Sequence, residues 1–230
     1  MTTRMAFISD LHSNMEALRA VEPLISGLPC YSCGDLVGYG ADPSEVVRWA
    51  MKNVVGCVKG NHDEAAVTGD TSWFNAYAAS AIRWTRGRLS EGELAFLSSL
   101  PLTYKFEVEG VRFFVVHGSP DDPLHEYVFL ETHQGLFERY LKMCSADVVV
   151  LGHTHVPFRW RGAGGTVFNP GSVGQPRHGQ PGAFYAVVTV EGGKVEVELK
   201  RASYDVDTAA QKIYRSGLPR VFGDRLYEGL

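Results

Sequence analysis

Short apolar runs punctuate the chain at Met5–Ile8, Pro29–Cys33, Val54–Val58, Val111–Val116 and Val148–Leu151, and each stops at a polar motif. Runs of this length suit buried strands. Between them the apolar spacing becomes helical, over Asn14–Ala20, Ser44–Lys52, Trp73–Arg86 and Gly135–Met143. Asp42-Pro43 offers the second of these an N-cap and a first-turn proline. Ser90 and Glu93 stand at capping-box spacing before Leu97, which predicts another short helix closed off by Pro101. Asp207–Arg215 reads as a terminal helix ended by Gly217, with Pro219 beyond it.

The later segments Thr166–Phe168, Ala183–Val190 and Lys194–Arg201 read as strands, the last two joined by a hairpin at Gly192-Gly193. Asn169–Gly182 has no period and is expected to be a long ordered loop. A strand-helix alternation that gives way to consecutive strands predicts an α/β sandwich with a mixed sheet or two facing sheets. Nothing in a length of 230 residues demands a second domain, so residues 1–230 are expected to form one.

A formal net charge of −4 argues against a large electrostatic footprint for duplex nucleic acid, but leaves room for a small phosphate ester drawn to bound cations. No apolar run approaches the length of a membrane-spanning helix and the N-terminus lacks a signal-peptide pattern, so the expected location is cytoplasmic. Cys30 and Cys33 form a CxxC motif along a strand. Residues three apart on a strand face opposite sides, so buried free thiols are expected rather than a zinc or redox pair.

Five of the eight histidines, His12, His62, His117, His153 and His155, follow directly on the strand-like runs, together with Asp10, Asp35 and Asn61. Loops at the carboxyl ends of strands in an α/β sheet share one edge, so these side chains are expected to converge. Imidazole with carboxylate suits Mn²⁺, Fe²⁺ or Zn²⁺, whereas Mg²⁺ and Ca²⁺ would leave the histidines unexplained. Seven ligands (Asp10, His12, Asp35, Asn61, His117, His153, His155) are too many for one tetrahedral ion. They suit two adjacent ions with Asp35 between them, an arrangement able to clamp both oxygens of an in-line displacement at phosphorus.

The motifs SDLHSN at Ser9–Asn14, CGD at Cys33–Asp35, GNHD at Gly60–Asp63, VHG at Val116–Gly118 and GHTH at Gly152–His155 resemble those of the calcineurin-like metallophosphoesterases. NPGSVGQPR at Asn169–Arg177 looks like the small prokaryotic branch with its phosphodiesterases and dinucleoside-tetraphosphate hydrolases. The fold this implies is a four-layer α/β/β/α sandwich of two facing mixed sheets flanked by helices. The resemblance also assigns roles: Asp10, His12 and His155 to one ion, Asn61, His117 and His153 to the other, and Asp35 as the bridge. It implies two divalent transition-metal ions, Mn²⁺ foremost, attack by a metal-bridging hydroxide, and His62 as general acid.

After Asp35 the run DLVGYG departs from the protein-phosphatase branch and leaves the phosphate contact unassigned, with Arg177, His178 and Tyr39 as candidates. Asp63 either orients His62 or caps the next helix. His125 and His133 are expected to be surface or structural, and Trp73, Phe74, Tyr77 and Trp84 to form a core-facing stripe, with a nucleobase lining as the alternative. Substrate choice is expected to reside in the loops Gly38–Pro43, Gly69–Asn75 and Gly118–Glu131. Two other functions are open at this stage, a non-catalytic protein-binding scaffold of the same fold and a nuclease.

Overall fold

The computed structural model describes residues 2–230, except for the side chains of residues 132–134. Ten strands form two five-stranded mixed sheets. In the first, β1 (Thr2–Ile8), β2 (Cys30–Ser32) and β3 (Val54–Cys57) run parallel, while β9 (Ala183–Glu191) and β10 (Lys194–Ala202) extend the sheet antiparallel beyond β1. In the second, β5 (Val111–Val116), β6 (Val148–Val150) and β8 (Gly165–Asn169) are parallel, and β4 (Thr103–Val108) and β7 (Phe158–Gly162) are antiparallel edges.

The alternation of side chains along each strand explains why both sheets are apolar on both faces. Met5 and Phe7 on β1 point into the layer between the sheets and meet Phe113, Val115, Val148, Val150 and Phe168 from the other side. Ala6 and Ile8 point the opposite way, onto α1 (Met15–Val21) and α2 (Pro43–Asn53) through Leu18, Val46 and Val47. Phe114, Val116, Val149 and Val167 face α6 (Leu130–Cys144), where Phe137, Tyr140 and Leu141 cover them. The order helix, sheet, sheet, helix is the four-layer sandwich that the motifs imply.

Cys30 lies in the layer under α1 and α2 and Cys33 in the layer between the sheets, so the CxxC pair is split across the sheet and both thiols are free. Burial pushes the Cys30 thiol up to about 12. Ser90 caps α5 (Glu91–Ser99) with the expected reciprocal box: its Oγ accepts from Glu93 N, and the Glu93 carboxylate accepts from Ser90 N at 2.8 Å. Asp42 precedes α2, yet its carboxylate makes no cap and instead takes Lys212 Nζ at 2.9 Å, tying α2 to α7 (Val206–Ser216).

The helix expected from Trp73 begins later. Asn75 caps α4 (Ala76–Arg86) by accepting from Ala78 N at 3.0 Å, which leaves Trp73 and Phe74 in the preceding loop. The expected core stripe is therefore corrected: Trp73 is 78% and Tyr77 62% exposed. Phe74 and Trp84 pack beside a satellite cluster in which α7, α8 (Val221–Glu228) and Tyr39 meet α4. There Phe222 lies against the Tyr39 ring with centroids 4.7 Å apart, which places the C-terminal helices behind the loop that follows β2.

Candidate metal centre

The parallel strands set the site. Asp10 and His12 follow β1, Asp35 follows β2, and Asn61 and His62 open α3 (Asn61–Thr68) after β3. His117 follows β5 and His153 and His155 follow β6, so both sheets deliver candidate donors at one end of the sandwich. All eight side chains are buried. Three groups of donor atoms form among the described residues, Asp10 with His12 and His155, Asp35 with His117 and His153, and His12 with Asp35 and His62, and the atoms within each group lie within 4.8 Å of one another. Asp35 Oδ2 stands between the first two groups, 3.7 Å from His12 Nε2 and 3.4 Å from His117 Nε2. The Asn61 side-chain oxygen adjoins the second group, 3.0 Å from His117 Nε2.

The orientation of each imidazole shows what the cluster is built for. His12 Nδ1 donates to Val37 O at 3.0 Å, His117 Nδ1 to Cys33 O at 2.8 Å, and His155 Nδ1 to Gln175 O. His153 is turned over and donates from Nε2 to His125 O at 3.3 Å. With one nitrogen tied to a backbone carbonyl, the other turns its lone pair inward, the usual support for a metal-ligating histidine. The inward nitrogens then face each other, His12 Nε2 to His155 Nε2 at 3.1 Å and His117 Nε2 to His153 Nδ1 at 3.1 Å. Two acceptors at that distance repel unless a proton or a cation lies between them.

Both carboxylates are divided in the same way. Asp10 Oδ2 accepts from Ser9 Oγ and from His153 N, while Oδ1 is buried without a hydrogen-bond partner among the described residues and lies 3.2 Å from His155 Nε2. Asp35 Oδ1 accepts from His62 N at 2.8 Å, and Oδ2 faces the imidazoles. An orphaned carboxylate oxygen among inward lone pairs is a donor set that fits divalent transition metals.

The charges agree. Burial alone would raise Asp10 and Asp35, but the neighbouring His155 and His117 hold both carboxyls below the ordinary range. Burial opposes charge on His117 too, yet Asp35 and then Asp10 push it up to about 9. Burial and the neighbouring His117 drive His153 down to about 3, and burial with His155 holds His12 well below its usual value.

His62 is placed differently. Its Nε2 meets Tyr39 Oη at 3.1 Å and its Nδ1 has no partner. Burial lowers it to about 4 despite the nearby Asp35. Asp63 does not orient it: the Asp63 carboxylate accepts from Gly60 N at 3.0 Å and Val37 N at 3.2 Å, so it caps α3 and pins the loop after Asp35. Burial, reinforced by Asp35, raises Asp63 to about 7.

A cavity of about 160 Å³ opens over this cluster, its floor formed by Asp35, Asn61, His62, His153 and His155. Arg177 and Tyr39 line it too, with Arg177 Nη2 donating to Tyr39 Oη at 3.0 Å, so two of the three phosphate candidates reach the cavity. His178 does not. Its ring packs edge-on against Phe184 at 4.4 Å, outside the lining. The remaining walls are Ala78 from α4 and Trp73, Phe74, Asn75, His125 and Tyr127, these five drawn from two of the loops expected to govern substrate choice. His125, expected to be surface or structural, is partly exposed at the cavity wall and holds His153 through its carbonyl, while the His133 side chain lies outside the described residues. A larger hollow of about 980 Å³ lies between the β7–β8 and β9–β10 hairpins, but it contains none of the histidines.

The sequence model of the calcineurin-like phosphoesterase superfamily domain matches residues 3–193. An uncharacterised protein of Methanocaldococcus jannaschii is 36% identical over 98% of this chain and 98% of its own length. The crystal structure of a metallophosphoesterase from Sphaerobacter thermophilus superposes with a TM-score of 0.87 at 31% identity, covering 100% of both chains. A hypothetical protein from Pyrococcus horikoshii has the same fold, with a TM-score of 0.88 at 20% identity over 99% of each chain. Strand-end motifs, two facing sheets and full-length relatives agree, and the chain belongs to the calcineurin-like phosphoesterase superfamily.

Proposed function

We propose that this protein hydrolyses a small phosphate ester (a phosphodiester, a nucleotide or a dinucleoside polyphosphate) with the help of two divalent transition-metal ions. The observation that carries the reading is the set of inward-facing imidazole nitrogens around the unsatisfied Asp10 Oδ1 and the shared Asp35 Oδ2. Asp10, His12 and His155 would hold one ion and Asn61, His117 and His153 the other, with Asp35 common to both. Mn²⁺ is the first choice, with Fe²⁺ and Zn²⁺ as alternatives. Ions held there supply Lewis acidity and an activated water to a displacement at phosphorus.

The chain's own groups do the rest. Two ions carry +4 against two carboxylates, and Asn61 contributes an oxygen without further charge, so the centre attracts an anion. Arg177 has no carboxylate partner among the described ion pairs and is free to fork onto phosphoryl oxygens. Burial disfavours the His62 cation and lowers the group to about 4. An arriving phosphoryl anion supplies the negative charge that favours protonation, after which Nε2, beside Tyr39 Oη at the cavity wall, can give its proton to the departing alkoxide.

Colour release from bis-p-nitrophenyl phosphate by Mn²⁺-reconstituted protein tests this. His62→Ala is expected to lower kcat by about 10²–10⁴, the usual worth of a general acid, with the metal content unchanged. Wild-type turnover no higher than that of His62→Ala, across several metals and phosphate esters, would instead support a binding scaffold.

A further inference from the structure

The rings over the metal centre are not accounted for by phosphate chemistry. Trp73 is 78% exposed although the same loop packs the half-buried Phe74 against His62, with ring centroids 4.8 Å apart. The indole lies nearly parallel to the His125 imidazole, 5.2 Å away at 20°, so one of its faces is backed and the other open. Tyr127, 48% exposed, sits over His153 with ring centroids 4.0 Å apart, and Phe129 stacks beyond it at 6.4 Å. Trp73, His125 and Tyr127 all line the cavity that has Asp35, His155 and Arg177 in its wall. Large aromatic surface held in water does nothing for the fold, whereas a rigid ring with one open face is an efficient stacking platform.

We infer that Trp73, with Tyr127, is the stacking site for the base of a nucleotide whose phosphate lies at the metal centre. Three observations select this occupant. One cavity joins a phosphate-seeking floor to an aromatic rim that opens to solvent, so a single ligand can touch both. The only carboxylate in the lining is Asp35, which is directed at the imidazoles, so nothing in the wall repels an anion. The Tyr127 hydroxyl and the His125 imidazole make no side-chain hydrogen bond among the described residues, leaving both for the edge of a heterocycle. The inference rests on the phosphoesterase reading for the seat of the phosphate, and the rings themselves supply the rest.

The test separates the two. Calorimetry on the Mn²⁺-loaded protein compares AMP with ribose 5-phosphate, which differ by the base alone. AMP is expected to bind on the order of tenfold more tightly, the usual scale of one base stacked on an aromatic side chain. Trp73→Ala is expected to bring AMP down to the level of ribose 5-phosphate, with Tyr127→Ala intermediate and Trp73→Phe retaining most of the preference. The indole is exposed, so the melting temperature should be unchanged.

Hydrolysis gives an independent readout from two esters that release the same p-nitrophenolate as water adds to phosphorus and the aryl P–O bond breaks. Thymidine 5′-(p-nitrophenyl phosphate) should exceed methyl p-nitrophenyl phosphate in kcat/KM, and Trp73→Ala should erase the difference. Equal affinity for AMP and ribose 5-phosphate, or a preference untouched in both alanine variants, overturns the stacking site even where both esters are hydrolysed. A base preference that Trp73→Ala abolishes, with neither ester hydrolysed, sustains the site and sinks the phosphoesterase reading.

Discussion

Arg177→Met isolates the proposed phosphate contact, because methionine keeps the apolar stem and removes only the fork. The guanidinium donates to Tyr39 Oη at 3.0 Å and lies 5.5 Å from the centroid of that ring. A charge-assisted hydrogen bond and a weak cation-π contact are together worth about 2–3 kcal/mol. Against that loss stand the burial that opposes the guanidinium charge and its positive field on His155, both of which disappear with the charge. The expected loss of stability is therefore about 1–2 kcal/mol, or a few degrees in Tm for a chain of this size.

The functional effect is far larger. Two charge-assisted bonds to phosphoryl oxygens, at about 1.5 kcal/mol or more each, give about 3 kcal/mol, equivalent to roughly 10² in kcat/KM. Steady-state hydrolysis of bis-p-nitrophenyl phosphate, with inorganic phosphate as a competitive inhibitor, reads both affinity and rate. Arg177→Lys should recover part of the loss, since it restores charge without the fork. An Arg177→Met protein whose kcat/KM lies within threefold of wild type, with an unchanged inhibition constant for phosphate, refutes the assignment.

Asp35→Asn removes the charge shared by both ligand groups and should weaken Mn²⁺ binding by at least about 10–100-fold, measured by equilibrium dialysis; two ions retained at wild-type affinity would rule out the bridge. Gly60→Ala would drive a methyl group into the Asp35 carboxylate and its backbone nitrogen, so a loss of about 1–3 kcal/mol is expected by denaturant titration, together with weaker metal binding. Phe222→Ala empties a site 2% exposed and should cost about 3–5 kcal/mol, while a lower kcat with KM little changed would report the loosened Tyr39 behind His62.

Strands buried on both faces over most of their length, such as β1 from Met5 and β5 from Phe113, were legible in the sequence because those stretches must be apolar. The edges β4 and β7 were not, since a half-exposed strand such as Thr-Tyr-Lys-Phe-Glu-Val or Phe-Arg-Trp-Arg-Gly mixes charge into its pattern. Trp73 and Phe74 stand at helical spacing from Tyr77, but spacing cannot show that Asn75 will cap a helix three residues later than the pattern begins. The convergence of histidines and carboxylates was legible because strand ends in a sandwich share a rim. Which loops close the cavity was not: His125 and Tyr127 reach His153 through a segment with no period, and only the fold brings them there.

What the sequence conceals most completely is the cost of aiming the ligands. Asp10, His12, Asp35, His153 and His155 all occupy the left-handed region, with φ between 44° and 65°, and none is glycine. An extended chain leaving a strand sends successive side chains to opposite faces; these turns re-aim them toward one point. Each such residue costs on the order of 1 kcal/mol and persists only where its surroundings over-determine it. The surroundings here are the other loops: Asp10 N donates to Gly34 O at 3.0 Å, His12 N to Asp35 O at 3.1 Å, Gly174 N to Asp10 O at 2.9 Å and Gly152 N to His117 O at 2.8 Å. Because each loop is fastened to the next and all are rooted in the apolar layer between the sheets, no single ligand can relax without moving several others. The geometry of the proposed metal centre is therefore set by folding, with the strain drawn from the stability of the whole sandwich.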